Sequence, residues 1–259
     1  MDEQGGFSFD SGNAAGWQDA AKRLGPCRLQ LVLTASHYQI IAIDRPSVPD
    51  DELQQALPFA VRELATVPLP RMQVDYFQLA ANPADRDALQ VVVSDKDVLA
   101  KLAVKADAVG ISIGLISIEE LVLLELLPSN PRPQIMLWHQ TDQPLKLLIA
   151  CDGKLLFSRA IRGFNQLDNL TELEIEMGLF DALQLELQRS MDYLERQLRQ
   201  PPADGFALLV PPQHHALLQQ KLEQSFGLPV QLLGSAEQTP QQLMAHAAAM
   251  ARGHDEDTN

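Results

Sequence analysis

Short strand-like runs and one-faced helical patterns alternate along this chain in two similar halves, and that order of elements restricts the fold more than any single motif does. The first half opens with apolar runs at 29–34 and 38–43, separated by Ala35-Ser36-His37 and read as a hairpin. Ser47-Val48-Pro49-Asp50 carries a helix-start signature. Leu53, Ala56, Leu57, Ala60, Val61 and Leu64 then fall on one helical face. Pro58 lies inside that helix, where its missing N–H predicts a kink or a later start. Strands are expected at 74–79, 89–93 and 111–118, with a helix over 95–108 closed by Gly110 and a short one over 119–127.

Ser129-Asn130-Pro131-Arg132-Pro133, polar with two prolines, is the expected boundary. The second half again opens with strands, at 134–138, 145–150 and 154–161, with Asp152-Gly153 as the turn between the last two. A long helix follows over 169–199, with a break expected near Gly178. Phe180, Leu183, Leu187, Met191, Leu194 and Leu198 form its apolar stripe, and Pro201-Pro202 stops it. A strand at 207–210, a helix at 215–226, a strand at 230–233 and a helix at 240–250 complete the pattern. Strands mixed with helices in two such halves predict an α/β protein with an internal pseudo-repeat. The expected division is a partly flexible N-terminal segment 1–28, lobes at 29–130 and 134–252, and a disordered acidic tail at 253–259.

Composition narrows the partners. The 259 residues carry a net charge of −14 from 34 acidic and 20 basic side chains, which repels nucleic acid and anionic lipid headgroups. No apolar run approaches the roughly 18 to 20 residues of a membrane-spanning helix, and the densest one is interrupted by Glu125. The acidic, Gly-rich start is the opposite of a secretory signal, so a cytoplasmic location is expected, with any membrane association supplied by a partner. Cys27 and Cys151, far apart in apolar runs, are read as free buried thiols, a disulfide being the alternative.

Reactive chemistry finds no foothold in the pattern. There is no GxxxxGK[ST] loop, no GxGxxG and no GxSxG elbow. His214 and His215 are adjacent, so their side chains diverge and do not share one metal. His37 and His139 are isolated, and a surface or capping role is expected for each histidine. Glu119 and Glu120 are neighbours, about 100° apart on a helix, and fit an acid-decorated helix N-terminus. Arg189, Arg196 and Arg199, set among acids, fit a solvated face with pairs such as Asp192–Arg196. No catalytic, cofactor-binding or metal-ligating residue is assigned.

Three groups of residues resemble a known family. The first is Glu63-Leu64-Ala65-Thr66-Val67-Pro68-Leu69 followed by Val74-Asp75-Tyr76-Phe77. The second is Val91-Val92-Val93-Ser94-Asp95-Lys96-Asp97-Val98, then Ala108-Val109-Gly110-Ile111 and Ser117-Ile118-Glu119. The third pairs Phe157-Ser158-Arg159-Ala160-Ile161 with Leu185-Glu186-Leu187-Gln188-Arg189-Ser190-Met191-Asp192-Tyr193. In order and spacing, over roughly residues 29–233, they resemble the PilM group of actin-like type IV pilus proteins. Arg45-Pro46-x-Val48-Pro49-x-Asp51-Glu52-Leu53 is most similar to the MshI branch, from mannose-sensitive haemagglutinin (MSHA) pilus systems. Ala56-Leu57-Pro58-Phe59-Ala60 is similar to the related secretion protein GspL.

The resemblance implies an actin-like (ribonuclease H-like), two-lobed α/β fold. It also implies three nucleotide-binding elements, and this sequence departs from each. The first Asp-x-Gly turn has only the displaced Phe9-Asp10-Ser11-Gly12. Trp138-His139-Gln140 stands where the second is expected, and Pro211-Pro212-Gln213 stands where a Gly-Gly adenosine loop is expected. A proline pair removes two N–H donors and blocks the close approach that glycine allows. The expectation is a non-enzymatic scaffold without cofactor, peripheral to the inner membrane. Its implied partner is a PilN-like (MshJ-type) bitopic protein whose cytoplasmic tail docks on the first half, with self-association compatible. Leu57, Val61, Leu64 and Tyr76 are the candidate groove residues. An active actin-like ATPase or kinase, and the cytoplasmic part of a GspL-type platform, are the alternatives.

Overall fold

A computed structural model describes residues 7, 9–83, 86–234 and 240–250. The expected acidic tail at 253–259, and most of the first eight residues, lie outside that set. Two compact units emerge: among the described residues the first holds the chain up to Phe77 together with Leu89–Glu119, and the second holds Gln78–Ala88 and Glu120–Met250.

In the first unit, helix α1 (Ala14–Leu24) starts where the Asn13 side chain accepts from the Gly16 N–H at 2.8 Å. It buries Trp17 and Ala20, and Phe9 packs edge-on against Trp17 with ring centroids 5.2 Å apart. Strand β1 (Cys27–Leu33) pairs in parallel with β5 (Ile111–Ile118), from Cys27 opposite Ile111 to Leu33 opposite Ile118. Helix α3 (Lys96–Asp107) leads into β5. Its cap is Asp95, whose carboxylate accepts from the Asp97 N–H at 2.9 Å.

The remaining strands of this unit, β2 (Tyr38–Asp44), β3 (Met72–Phe77) and β4 (Ala88–Asp95), form a separate sheet in the order β2-β4-β3, with β3 and β4 antiparallel. This corrects the hairpin expected between 29–34 and 38–43: β1 and β2 follow each other in sequence but enter different sheets. Helix α2 (Asp50–Val61) covers one face of the second sheet. Its Leu53, Leu57 and Val61 are packed among Ile41, Met72, Val74, Leu89, Val91 and Val93. Each such side chain removed from water contributes roughly 1.5–3 kcal/mol. The helix begins after Pro49 without a side-chain cap, so Ser47 does not play the expected role; Asp50, Asp51 and Glu52 supply first-turn negative charge instead.

The second unit is built on a five-stranded sheet in the order β10-β9-β6-β7-β8. Its strands are β6 (Gln134–Trp138), β7 (Leu145–Cys151), β8 (Lys154–Ile161), β9 (Gly205–Leu209) and β10 (Val230–Leu232). β6, β9 and β10 are parallel; β7 is antiparallel to both β6 and β8. β6, β7 and β9 are buried along nearly their whole length, as strands covered on both faces must be. Asp152 and Gly153, both at positive φ, make the β7–β8 turn as expected.

Residues Glu172–Glu174 form a helical turn, α5, closed by a capping box from Thr171. At Gly178 the backbone swings to φ 118°, which a side chain would strain, and α6 (Phe180–Arg196) starts afresh. Phe180, Leu183, Leu187 and Leu194 of its stripe are buried on Ile135, Leu137, Leu147 and Phe206. Helices α7 (His215–Phe226) and α8 (Pro240–Met250) match their expected limits.

The linker expected at 129–133 is instead tied into this unit. The Asn130 carbonyl accepts from the Asp152 N–H at 2.8 Å, the Pro133 carbonyl accepts from the Asp204 N–H at 3.0 Å, and Pro133 is buried. The division falls between Glu119 and Glu120. Those two residues, in the short helix α4 (Glu119–Leu123), are buried rather than solvated, and Glu120 pairs with Lys146 of β7 at 2.7 Å.

Candidate functional site

Each unit contains one place where a ligand is physically expected. In the second unit it is the carboxyl end of the parallel strands. The chain leaves β6 toward β7 on one side and leaves β9 toward β10 on the other, so β6 and β9 flank a topological switch point, where open α/β sheets bind their ligands. The residues just past those ends are the two loops singled out from the sequence. His139 extends the β6–β9 pairing through its N–H, which donates to the Leu209 carbonyl at 3.0 Å. Past β9, Pro211 and Pro212 offer no N–H at all.

What these loops hold is the chain itself. His139 Nε2 donates to the Asn165 carbonyl at 3.4 Å, His214 Nε2 to the Leu167 carbonyl at 2.7 Å, and Gln213 Nε2 to the Asp168 carbonyl at 2.8 Å. Both histidines are 1% exposed, which corrects the surface or capping role expected for them. His214 and His215 do diverge, since His215 Nε2 donates to the Val210 carbonyl at 2.9 Å. Burial holds the His139 imidazole below its ordinary pKa, against the pull of the Asp168 carboxylate. Among the described residues no group donates to Nδ1 of either buried histidine or to Asp168 Oδ1. Among the described residues no three His, Cys, Asp or Glu side chains are placed to share a metal ion.

Asp10-Ser11-Gly12 does not form the turn that follows β1. Its carboxylate accepts from the Gly12 N–H at 2.7 Å and forms the entry to α1, whereas the turn that follows β1 is Thr34–His37. In that turn Thr34 Oγ1, Ser36 Oγ and His37 Nδ1 lie 3.0–3.1 Å apart.

The first unit carries a different feature, an apolar pocket of about 390 Å³. Its floor is the face of the β3–β4 ribbon turned away from α2, with Val92 and Ser94 on β4 and Gln73 and Asp75 on β3. One wall is α3, through Lys96, Leu99, Ala100 and Ala103 at helical spacing, where the two alanines leave the space. Ile116 and Ile118 of β5 line another side. β3 is an edge strand, and Gln54 already donates to its Val74 carbonyl at 2.7 Å.

The four groove candidates from the sequence are not brought together here. Leu57 and Val61 are 0% exposed in the core under α2, closed to any docking peptide, which removes them from the candidate list. Leu64 and Tyr76 are 57% and 36% exposed, and neither lines the pocket. The sequence signal that points to the pocket is Val91-Val92-Val93: a strand apolar on both faces needs two covers, and α2 supplies only one.

The third motif pair is a single physical unit. Arg159 on β8 donates through Nη2 to the Glu186 carbonyl at 2.6 Å and through Nε to Ser190 Oγ at 3.1 Å. Its Nη1 lies 2.8 Å from Glu186 Oε2, joining β8 to α6. Arg189 also pairs with Glu186, at 2.5 Å.

No family model matches the chain, and no curated protein matches its sequence. Solved structures do match. A chain of the PilM-PilN type IV pilus biogenesis complex superposes with a TM-score of 0.65 at 16% identity, over 96% of this chain and 88% of that one. The cytoplasmic domain of EpsL, an inner membrane component of the type II secretion system of Vibrio cholerae, gives 0.53 at 13% identity, over 93% and 82%. The fold is actin-like. A Bacteroides thetaiotaomicron protein of actin-like ATPase fold also matches, at a TM-score of 0.47 and 12% identity, over 85% and 73%. On the actin-like frame the switch-point end of the second unit is where the resemblance placed two nucleotide elements, and His139, Pro211, Pro212 and His214 stand there. Among the described residues no helix is long and apolar enough to cross a membrane.

Proposed function

We propose that this chain is a non-catalytic scaffold of type IV pilus assembly, of the MshI kind that serves MSHA pili. It works at the cytoplasmic face of the inner membrane. There it holds the short cytoplasmic tail of a PilN-like (MshJ-type) bitopic partner. The observation that carries this reading is the pocket of about 390 Å³ in the first unit, apolar on the β4, α3 and β5 sides. An extended peptide presents alternate side chains to such a surface, so one apolar side chain enters the pocket while its neighbours stay in water. Lys96 and Asp75, of opposite charge, give the pocket two distinguishable walls and favour one peptide direction. Support also comes from the likeness to the PilM-PilN complex and from the motif order in the sequence. The scaffold role, as against an ATPase, is supported by the side chains at the switch point, which are engaged with the protein's own backbone.

The test is a titration of the chain with N-terminal tail peptides of inner-membrane pilus proteins. Binding of a PilN-like tail at micromolar strength is the expected result. A panel in which none binds sinks the clamp. The likeness to the EpsL cytoplasmic domain favours a second reading, a type II secretion platform, and preference for the tails of secretion partners would move the assignment there. Calorimetry with ATP and Mg²⁺ is expected to be silent; tight binding would restore the ATPase reading.

A further inference from the structure

We infer that residues 164–170 are a built-in plug in the switch-point crevice of the second unit, an intramolecular occupant that keeps free ligands out. The segment is two-sided: Phe164 and Leu167 are buried with Ile135, Leu137, Phe206 and Leu208, while Asn165, Gln166 and Asn169 face solvent. It lies over the carboxyl ends of β6 and β9 because side chains from just past both strands reach its backbone. His139 comes from the β6 side, and Gln213 and His214 come from the β9 side. Three side-chain donors are thus directed at three carbonyls within four residues, Asn165, Leu167 and Asp168. Carbonyl oxygens are the kind of acceptor that ligand groups would offer to these same donors, so plug and ligand compete for the same N–H groups.

Nε2 carries a proton on both histidines because a carbonyl only accepts, and among the described residues no group partners Nδ1 of either ring or Asp168 Oδ1. The plug is therefore held by three side-chain donors at its carbonyls and by its two apolar anchors. A segment held in this way opens locally, before the sheet does.

The experiment is hydrogen exchange on the full chain, resolved to the 164–170 segment and to the β7–β8 hairpin as an internal reference. The unaltered protein is expected to protect 164–170 well above free-peptide rates, with no change on adding ATP and Mg²⁺ or inorganic phosphate. Gln213→Ala changes an exposed side chain and leaves the core intact; it should speed exchange of 164–170 by roughly five- to tenfold, with β7–β8 unchanged. His214→Ala should do more at the same place. Free-peptide rates in the unaltered protein, or added protection on nucleotide or phosphate, would show an open site and overturn the plug. So would Gln213→Ala exchanging as the unaltered protein does. No partner peptide is used, so the outcome is independent of the clamp in the first unit.

Discussion

The two units answer the same question in opposite ways. The first leaves an apolar pocket open between α3 and the outer face of its β3–β4 ribbon, and nothing in the described chain enters it. The second has a crevice of established ligand-binding type and fills it with its own residues 164–170. On the proposed reading, a fold keeps an architecture whose usual place for chemistry is closed, while recognition moves to a surface that sequence motifs for chemistry would never flag. The difference lies in side-chain supply. Alanines at 100 and 103 leave space, whereas prolines at 211 and 212 and buried histidines at 139 and 214 take it away.

That contrast can be broken at several points. The largest effect is expected where the pocket's floor meets the core: Leu57→Ala should lower stability by about 2–5 kcal/mol, measured by denaturant unfolding. A loss below about 1 kcal/mol would show that α2 is loosely docked and that the pocket floor is not rigid. Ala103→Glu, on the partly open wall, should leave stability within about 0.5 kcal/mol. It should weaken tail-peptide binding by at least roughly a hundredfold, read by calorimetry, because a carboxylate then fills an apolar space. In the second unit, His214→Ala removes the donor to the Leu167 carbonyl and should cost about 1–3 kcal/mol.

The smallest effect is a pH dependence. His139 has its pKa lowered in the fold by burial, so the unfolded chain binds the extra proton first. Stability from this residue is full above the ordinary histidine value of about 6.5 and falls as pH drops through it toward the lowered value. His139→Gln, which keeps a donor for the Asn165 carbonyl, should flatten that slope below about pH 6.5. The carboxylates with lowered values, Asp95 and Glu174, act only at more acid pH, so the two contributions separate in a series of melts.

Much of the local structure was written in local pattern. The Asp95 cap, the α6 stripe with its break at Gly178, the Asp152-Gly153 turn and the limits of α7 and α8 all follow from residues within a few positions of one another. What escaped depends on distant partners. β1 chooses β5 rather than β2, and nothing in 29–43 announces it. The 129–133 stretch has a linker's composition but is fixed by Asp152 and Asp204. Glu120 looked like surface charge until β7 brought Lys146 to it. Leu57 and Val61 were rightly placed on an apolar helix face, yet that face is the inner one, and periodicity cannot say whether a partner or the protein's own sheet covers it. His139 and His214, 75 positions apart by their numbering, carry no shared signal, and only the neighbouring strands β6 and β9 bring them to one segment.

The pairing of β1 with β5 has a kinetic consequence. Cys27 meets Ile111 roughly eighty residues later, so this edge closes only after a long loop has been gathered, and contacts of that range slow folding. Inside the loop, α2 and the β2-β4-β3 sheet are built from much shorter separations and shorten the span that remains. During synthesis the ribbon that floors the pocket is therefore expected to form first. β1 waits, its edge unpaired, until β5 has left the ribosome. A nascent chain arrested before Ile111 would hold the floor of the pocket and lack its β5 side.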